Sequence, residues 1–165
     1  MIFVGIGANL AGSGHANALA TCRAALACLP EHDVDILSVS QWYESAPVPL
    51  SDQPWYVNAV IRVASRLSPA ELLSALHKVE ADFGRFRGEI NAARVLDLDL
   101  LDHDGQVSDR DAWPIRPHPR MHTRAFVLLP LRDLAPSWTH PRSGASLDQL
   151  ISALPVGQEI RRHSV

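Results

Sequence analysis

The sequence contains little lysine and few aromatic side chains, and these scarcities exclude whole classes of protein. Lys78 is the only lysine among 15 basic residues, and the formal net charge is -3 at pH 7. The chain therefore has no basic stripe of the kind that sequence-independent binding to nucleic acid requires. Phe, Tyr and Trp make up 6% of the sequence, too few for the surface on which RNA-recognition modules stack bases. We expect no nucleic acid partner.

Cysteine and long apolar runs are scarce as well. Cys22 and Cys28 fall on one predicted helix, about 9 Å apart along its axis, which is too far for a disulfide between them. Such thiols are typical of a reducing cytoplasm, where we expect the protein to reside. The apolar N-terminal segment is short, has no basic lead-in and meets Gly5, so it predicts a first strand rather than a signal peptide or membrane span. We expect no membrane association.

Length and composition predict one domain spanning residues 1–165. Of the 165 residues, 47% are hydrophobic, which is enough for one core and too little for two. From the N-terminus to Leu101 the pattern predicts the order strand, helix, strand, strand, helix, strand. This order is typical of an α+β fold, the ferredoxin-like βαββαβ sandwich with a mainly antiparallel four-stranded sheet. Because that fold carries enzymes, RNA-binding modules and ligand-sensing domains, it does not by itself indicate a function.

Local signals set the expected boundaries of these elements. A capping serine, a proline at the first helical position and a returning glutamate begin the second helix at Ser68. An added hairpin and C-terminal helices should follow the last strand of the core fold. The other expected features are a first helix ending at Pro30, strands over 34–43 and 55–65, a helix stop at Gly84, a tight hairpin turn at Asp104-Gly105, a helix through Leu129, a last helix capped by Ser146 and a frayed tail over 161–165.

The last strand of this core, which ends at Leu101, carries two carboxylates among leucines. Side chains alternate between the faces of a strand, so Asp97 and Asp99 point the same way, roughly 7 Å apart, with leucines on the other face. Such a pair repels itself and loses hydration unless cations lie beside it. Mg²⁺ suits this spacing, because it takes one or two carboxylates together with water and substrate phosphate oxygens. Salt bridges to arginines, or a solvated edge strand, explain the pair equally well at this point.

Three arginines precede the acidic strand in a segment of small and polar residues. Arg85, Arg87 and Arg94 follow the second predicted helix and lead directly into the strand. Cations and metal-binding acids from adjacent segments are the combination that neutralises a polyphosphate, so this convergence favours a phosphate-transfer enzyme. A two-metal nucleotidyl or phosphoryl transferase acting on another alcohol would use the same groups, and that alternative stays open.

Two further patterns have both a structural and a functional interpretation. The glycines of Gly5-Ile6-Gly7 and Gly12-Ser13-Gly14 suggest a phosphate cradle, but the Lys-Ser/Thr of a P-loop and the third Rossmann glycine are absent. We therefore favour glycines that let the chain turn tightly between strand and helix. Tyr56 and Asn58 alternate onto one strand face, where they form either a platform for a flat heterocycle or simply the outer face of a sheet.

Taken together, these residues resemble the 6-hydroxymethyl-7,8-dihydropterin pyrophosphokinases of folate biosynthesis. The resemblance extends through nearly the whole chain and rests on spaced blocks that are specific only in combination. These blocks are Gly7-Ala8-Asn9-Leu10, Asp52-Gln53-Pro54-Trp55-Tyr56-Val57-Asn58-Ala59, Glu80, Gly84-Arg85-Phe86-Arg87, Arg94-Val95-Leu96-Asp97-Leu98-Asp99, Pro117-His118 and Arg124-Ala125-Phe126. The resemblance implies transfer of a pyrophosphoryl unit from MgATP to the pterin hydroxymethyl group, leaving AMP.

The resemblance also implies a role for each matching residue. The catalytic set would be Arg85, Arg94, Asp97 and Asp99, in which the two aspartates bind two Mg²⁺ ions. The pterin would be bound by Ser45, Val48, Tyr56, Asn58 and Phe126, with its ring between the two aromatic side chains. ATP would be bound by His77, Glu80, Arg85, Arg87, Arg94, Leu98, His118 and Arg124.

The sequence departs from the common family pattern at several positions. The loop between Arg87 and Arg94 is one residue shorter and has Asn-Ala-Ala where many members have Trp-Gly-Pro. His77 stands where a glutamine is usual, and Pro49 and Pro119 also differ. These changes bear on loop motion and nucleotide fit rather than on the reaction class. We expect a monomer that binds two small substrates, ATP and the pterin; a non-catalytic ferredoxin-like binding module is the competing interpretation from another class.

Overall fold

The computed structural model describes residues 1–12, 14–47, 49–84 and 95–164. The strands in these ranges are β1 (Ile2–Ala8), β2 (Asp35–Val39), β3 (Tyr43–Ser45), β4 (Tyr56–Ala64), β5 (Asp97–His103) and β6 (Ile160–Arg162). The helices are α1 (Ala18–Cys28), α2 (Pro69–Asp82), α3 (Ala125–Leu134) and α4 (Leu147–Ser152), with short 3₁₀ turns over Leu29–His32 and Met121–Thr123.

The strands form an antiparallel sheet in the order β5-β1-β4-β3-β6. β2 and β3 share one edge of β4, since β3 pairs with its first residues and β2 with its last. With β2 as the second strand of the core pattern, the first and third strands are central and the second and fourth are outer. This arrangement, with α1 and α2 as the connections, confirms the ferredoxin-like fold.

Helices cover both faces of the sheet. α1 and α2 pack on the face that carries Val4, Ile61 and Leu98. α3 and α4 pack on the opposite face, against Phe3, Val60 and Leu101. Because Asp97, Asp99 and Asn58 lie on the α3 side by strand alternation, their face is not the solvated outer face of a two-layer sandwich.

Capping interactions begin α2 and α4 as the sequence indicates. The Ser68 hydroxyl accepts a hydrogen bond from the Glu71 amide at 3.2 Å, and the Glu71 carboxylate accepts one from the Ser68 amide at 3.0 Å. Ser146 and Gln149 form the same reciprocal pair at α4. α2 ends at Asp82, followed by Gly84 with a positive φ of 85°. Both predicted capping boxes are confirmed.

Several expected boundaries in the first half are wrong. Gly5 and Gly7 lie inside β1 rather than in the turn after it, whereas Gly14, with a φ of 81°, lies between β1 and α1 as expected. The single strand expected over 34–43 is divided into β2 and β3. At the break, the Ser40 amide still donates to the Val60 carbonyl at 2.9 Å, but the Val60 amide donates to the Ser40 hydroxyl, at 3.0 Å, instead of to a backbone carbonyl.

The second half differs from expectation as well. Asp104 and Gly105 form a turn with positive φ angles, but residues 106–109 leave the sheet instead of returning as a hairpin. α3 continues past Leu129 to Leu134, because Leu131 is buried in the core and offsets the cost of Pro130 inside the helix. The tail expected to fray contributes Arg161 and Arg162 to β6. In the described part of the chain, no helix is both long and apolar enough to cross a membrane.

Candidate active site

Asp97, Gly7 and Asn58 lie side by side in one row across β5, β1 and β4. Gly7 pairs with Asp97 on one side and with Asn58 on the other. Directly paired residues of antiparallel strands project from the same face, and adjacent strands lie 4.7–4.9 Å apart. The candidate metal ligand and the candidate pterin-binding amide are therefore about 10 Å apart at their Cα atoms, separated by a residue without a side chain.

Gly7 is required by the close approach of the Asn58 side chain. A Cβ placed on Gly7 would lie 2.6 Å from Asn58 Oδ1 and 3.2 Å from the Val57 carbonyl oxygen. A Cβ on Gly5, in the same strand and on the same face, would meet only Leu101 side-chain atoms, at 3.6 Å or more. Gly7 therefore leaves room for the Asn58 amide.

The Asn58 side chain is buried and fixed in orientation. Its Nδ2 donates to Ser45 Oγ at 2.6 Å, and only 6% of Asn58 and 5% of Ser45 is exposed. Ser45 comes from β3, the strand on the far side of β4. Ser45 and Asn58, which the sequence predicts to bind the pterin, are thus in contact, and the half-buried Tyr56 lies on the same face of β4.

The start of α3 brings Arg124 and Phe126 to this region. The Arg124 guanidinium lies over the Phe126 ring, 5.4 Å from its centroid. Arg124 Nη1 is 3.8 Å from Asp99 Oδ2, and both side chains remain partly exposed. Arg124 therefore links the aromatic ring predicted to stack on the pterin with the carboxylates predicted to bind metal.

His118 is a neutral imidazole in this structure. The pKa of His118 is lowered to about 4, mainly by burial and secondly by the positive charges of Arg124 and Arg120. Its Nδ1 accepts the Arg120 amide at 3.1 Å, and its own amide donates to the Leu101 carbonyl at 2.9 Å. The proton of the neutral ring is therefore on Nε2, which can donate a hydrogen bond to a phosphate oxygen without contributing charge.

Glu80 is predicted to bind ATP, and the structure shows how it is held. Only 2% of Glu80 is exposed, and its Oε2 accepts the Leu98 amide at 2.9 Å, joining α2 to β5. The Leu98 side chain packs in the core on the α1 and α2 face. Glu80 thereby fixes the position of the strand segment between Asp97 and Asp99.

His77 has an aromatic neighbour that the sequence patterns did not identify. Its ring meets Trp113 edge to face, with centroids 6.1 Å apart. His77 Nε2 is also 4.0 Å from Glu80 Oε1. The Trp113 indole is 56% exposed, a large apolar surface beside a residue predicted to bind ATP.

Sequence reasoning also missed Asn9, Gln53 and Gln158 as individual residues. Asn9 Nδ2 donates to Gln53 Oε1 at 3.0 Å and to the Pro54 carbonyl at 3.2 Å, tying the end of β1 to the loop before β4. Asn9 and Gln53 fall within blocks that carry the family resemblance, which was the available signal. Gln158 contacts the start of α3 and has no local sequence signal. Among the predicted site residues, Val48, Arg85, Arg87 and Arg94 lie outside the described residues.

The donor set of β5 fits magnesium. Asp97 and Asp99 offer carboxylate oxygens on one face of the strand, and each is partly exposed. Within residues 1–12, 14–47, 49–84 and 95–164, no group of three or more His, Cys, Asp or Glu side chains could hold a metal ion. A two-carboxylate site is typical of Mg²⁺ bound jointly with water and substrate phosphates rather than of a structural metal centre.

Comparisons with known proteins point to one family. The family model described as 7,8-dihydro-6-hydroxymethylpterin-pyrophosphokinase (HPPK) matches residues 3–136. The 2-amino-4-hydroxy-6-hydroxymethyldihydropteridine pyrophosphokinase of Pseudomonas aeruginosa is 38% identical over 154 residues, which cover 93% of this chain and 91% of the relative. The Synechocystis protein of the same name is 41% identical over 118 residues, covering 72% of this chain and 60% of the relative.

Some relatives are much longer than this chain. The folic acid synthesis protein FOL1 of Dictyostelium discoideum is 37% identical over 125 residues, but the match covers only 19% of its length. Among solved structures, a triple mutant of the Plasmodium falciparum HPPK-DHPS superposes with a TM-score of 0.66 at 13% identity, over 92% of this chain and 44% of that one. This likeness supports the fold.

Proposed function

The chain belongs to the 7,8-dihydro-6-hydroxymethylpterin-pyrophosphokinase family, and we propose that it transfers a pyrophosphoryl group from ATP to 6-hydroxymethyl-7,8-dihydropterin. The observation that carries the proposal is the row of Asp97, Gly7 and Asn58 across adjacent strands. It sets a candidate phosphate-and-metal position beside a candidate pterin position, as a direct transfer between two bound substrates needs. The products are the pterin diphosphate and AMP.

The reaction balances without a covalent enzyme intermediate. The hydroxymethyl oxygen of the pterin attacks the β-phosphorus of ATP, and a new P–O bond forms. The bond between the β-phosphorus and the oxygen that bridges to the α-phosphorus breaks, AMP leaves, and the hydroxyl proton passes to solvent or a nearby base. The protein's contribution is therefore alignment of the two substrates and stabilisation of charge on the transferred phosphates.

On the pterin side, a fixed amide and two aromatic rings supply recognition. The hydrogen bond from Asn58 to Ser45 holds the amide in one orientation, so its remaining hydrogen-bonding groups are set before substrate arrives. Tyr56 and Phe126 contribute flat apolar surface for stacking on the pterin ring. Val48 belongs to this predicted set as well.

On the phosphate side, Asp97 and Asp99 would hold two Mg²⁺ ions, which when bound neutralise phosphate charge and orient the triphosphate. Arg124 extends from the start of α3 toward the same carboxylates and adds a permanent positive charge. His118 donates from Nε2 as a neutral ring. The arginines predicted at 85, 87 and 94 complete the cationic set, with Arg85 and Arg94 in catalytic roles.

The pair of Trp113 and His77 supplies the nucleotide side with a stacking surface. His77 belongs to the residues predicted to bind ATP, and the exposed Trp113 indole lies against its ring. An adenine base gains about 1 to 3 kcal/mol by stacking on an aromatic side chain of this kind. We therefore include Trp113 with His77, Glu80 and Leu98 on the ATP side.

Product analysis tests the proposal directly. Incubation with MgATP and the reduced pterin should produce AMP and the pterin diphosphate in equal amounts, and neither without a divalent cation. ADP as the main nucleotide would indicate phosphoryl transfer, and free pyrophosphate would indicate nucleotidyl transfer. Either result would contradict the proposal. That the chain is a single domain, a monomer and cytoplasmic stays a prediction from the sequence.

A further inference from the structure

The C-terminal segment 158–163 contacts the candidate pterin site although it lies outside residues 3–136, the span that the family model matches. β6 within this segment pairs with β3, aligning Ile160 with Ser45. The first residues of the segment, 158–160, line a small depression together with Ser45 and Phe126. The segment therefore borders two residues predicted to bind the pterin.

Gln158 holds the start of α3 through both ends of its amide. Its Oε1 accepts the Ala125 amide at 2.9 Å, and its Nε2 donates to the Thr123 carbonyl at 2.9 Å. The residue between these two contacts is Arg124, which occupies the N-cap position of α3 and makes no side-chain cap of its own. Gln158 thus supplies the missing cap from a distant part of the chain and fixes the peptide units on either side of Arg124.

The same segment also holds the opposite wall of the depression. The Ala46 amide donates to the Glu159 carbonyl at 3.0 Å, directly after Ser45. Ser45 in turn accepts from Asn58 at 2.6 Å. Two adjacent residues, Gln158 and Glu159, therefore form hydrogen bonds to both walls of the depression. One wall is the start of α3, with Arg124 and Phe126, and the other is the end of β3, with Ser45.

Charged contacts anchor the segment from its other end. Glu44 accepts from Arg161 Nε at 2.7 Å and lies 2.8 Å from His163 Nδ1. The Arg161 guanidinium lies over the Trp55 ring, 4.6 Å from its centroid. Gln158 consequently lies two residues before an anchored strand, and its two hydrogen bonds can hold α3 in register with the sheet.

We propose that Gln158 is a positioning residue for the transfer reaction, acting through Arg124 and Phe126. It sets the height of the α3 start above the sheet, so that Phe126 stacks on the pterin while Arg124 faces the phosphates. This inference rests on the proposed function, because it assigns Gln158 to the same site.

The test compares Gln158→Ala with Gln149→Ala in the full-length protein. Gln149 is a matched control, because its Oε1 caps α4 by accepting the Ser146 amide at 2.9 Å, and α4 carries no predicted site residue. Both variants lose side-chain hydrogen bonding to the backbone at the start of a helix and should lower the melting temperature by similar amounts. Gln158→Ala alone should lower kcat/KM for the pterin by about tenfold or more, since a misplaced α3 start misaligns the reacting groups. Its KM for ATP should change by less than about threefold, because other cationic groups still bind the triphosphate.

Gln158→Glu provides a graded second variant. A carboxylate can still accept the Ala125 amide but cannot donate to the Thr123 carbonyl, so kcat/KM should lie between those of the wild type and Gln158→Ala. Equal losses of kcat/KM for the pterin in Gln158→Ala and Gln149→Ala would show a general stability effect and overturn the proposal. A Gln158→Ala enzyme with the wild-type kcat/KM would overturn it too.

Hydrogen exchange separates this inference from the proposed function. In the ligand-free protein, the Ala125 amide should exchange at least about tenfold faster in Gln158→Ala than in the wild type or Gln149→Ala. Unchanged Ala125 exchange would overturn the positioning role. A wild-type enzyme that forms no AMP would instead contradict the proposed function, and the exchange difference would still decide whether Gln158 holds the start of α3.

Discussion

Replacing Gly7 by alanine should displace the Asn58 amide and so weaken pterin binding at the candidate site. The new Cβ would lie 2.6 Å from Asn58 Oδ1, about 0.8 Å closer than the 3.4 Å at which ordinary contacts begin. The new Cβ cannot move away toward the Val57 carbonyl oxygen, because that oxygen is only 3.2 Å from it. The Asn58 amide must therefore shift, and its 2.6 Å bond to Ser45 must lengthen or bend.

The size of the effect follows from the groups that move. Overpacking of a buried site costs about 1 to 3 kcal/mol of folding stability. Misdirecting one buried hydrogen bond to a ligand costs about 1 to 3 kcal/mol, so the dissociation constant for the pterin should rise by about tenfold or more. ATP binding should change little, because the clash is on the Asn58 side of Gly7.

Calorimetric titration of the pterin and of ATP measures both effects. Gly5→Ala is the matched control, since its Cβ meets only Leu101 at ordinary contact distances and pterin binding should stay near the wild-type value. In an Asn58→Ala background, Gly7→Ala should lower pterin affinity almost no further, because the amide that it displaces is gone. Equal pterin affinity in Gly7→Ala and Gly5→Ala would refute the reasoning, and so would full additivity with Asn58→Ala.

Three further predictions concern the phosphate side and the ligand-free protein. Asp97→Asn and Asp99→Asn should each lower the steady-state rate of AMP formation at saturating Mg²⁺ by about a thousandfold, through loss of a metal ligand, while circular dichroism shows an intact fold; near-normal rates would rule out the metal assignment. Trp113→Ala should raise KM for ATP by about tenfold and leave KM for the pterin unchanged; an unaltered KM for ATP in initial-rate assays would exclude the stacking role. Because the pKa of His118 is lowered to about 4, the unfolded chain binds more protons than the folded one between about pH 6.5 and 4, and stability falls as pH falls through that window. The loss is at most about 3 kcal/mol; urea unfolding should show a shallower pH dependence in His118→Gln, and identical slopes would contradict the lowered pKa.

Much of the fold could be predicted because its core strands and helices have strong local patterns. The capping box at Ser68 and the alternation in β4 each specify an element within a few residues of sequence. β6 could not be predicted in this way, because it is short and polar and is held by Glu44, more than a hundred residues earlier. The continuation of α3 through Pro130 depends on burial of Leu131 in the tertiary core, which again is not a local signal.

The candidate site could be predicted as a set of residues but not as an arrangement. Alternation placed Asp97 with Asp99 and Tyr56 with Asn58, each pair within one strand. The row that joins Asp97 to Asn58 depends on the register of both strands with Gly7, which no single-strand pattern contains. For the same reason Gly7 was interpreted as a turn residue, although the constraint on it is the Asn58 side chain.

The central claim is that one pyrophosphoryl unit passes intact from ATP to the pterin. It can be tested with two ATP samples, one radiolabelled at the β-phosphorus and one at the γ-phosphorus, each incubated with the enzyme, Mg²⁺ and the reduced pterin. The account predicts that both labels appear in the pterin product in equal yield and that the AMP formed carries neither. Transfer of the γ label alone, with the β label retained in ADP, would contradict it.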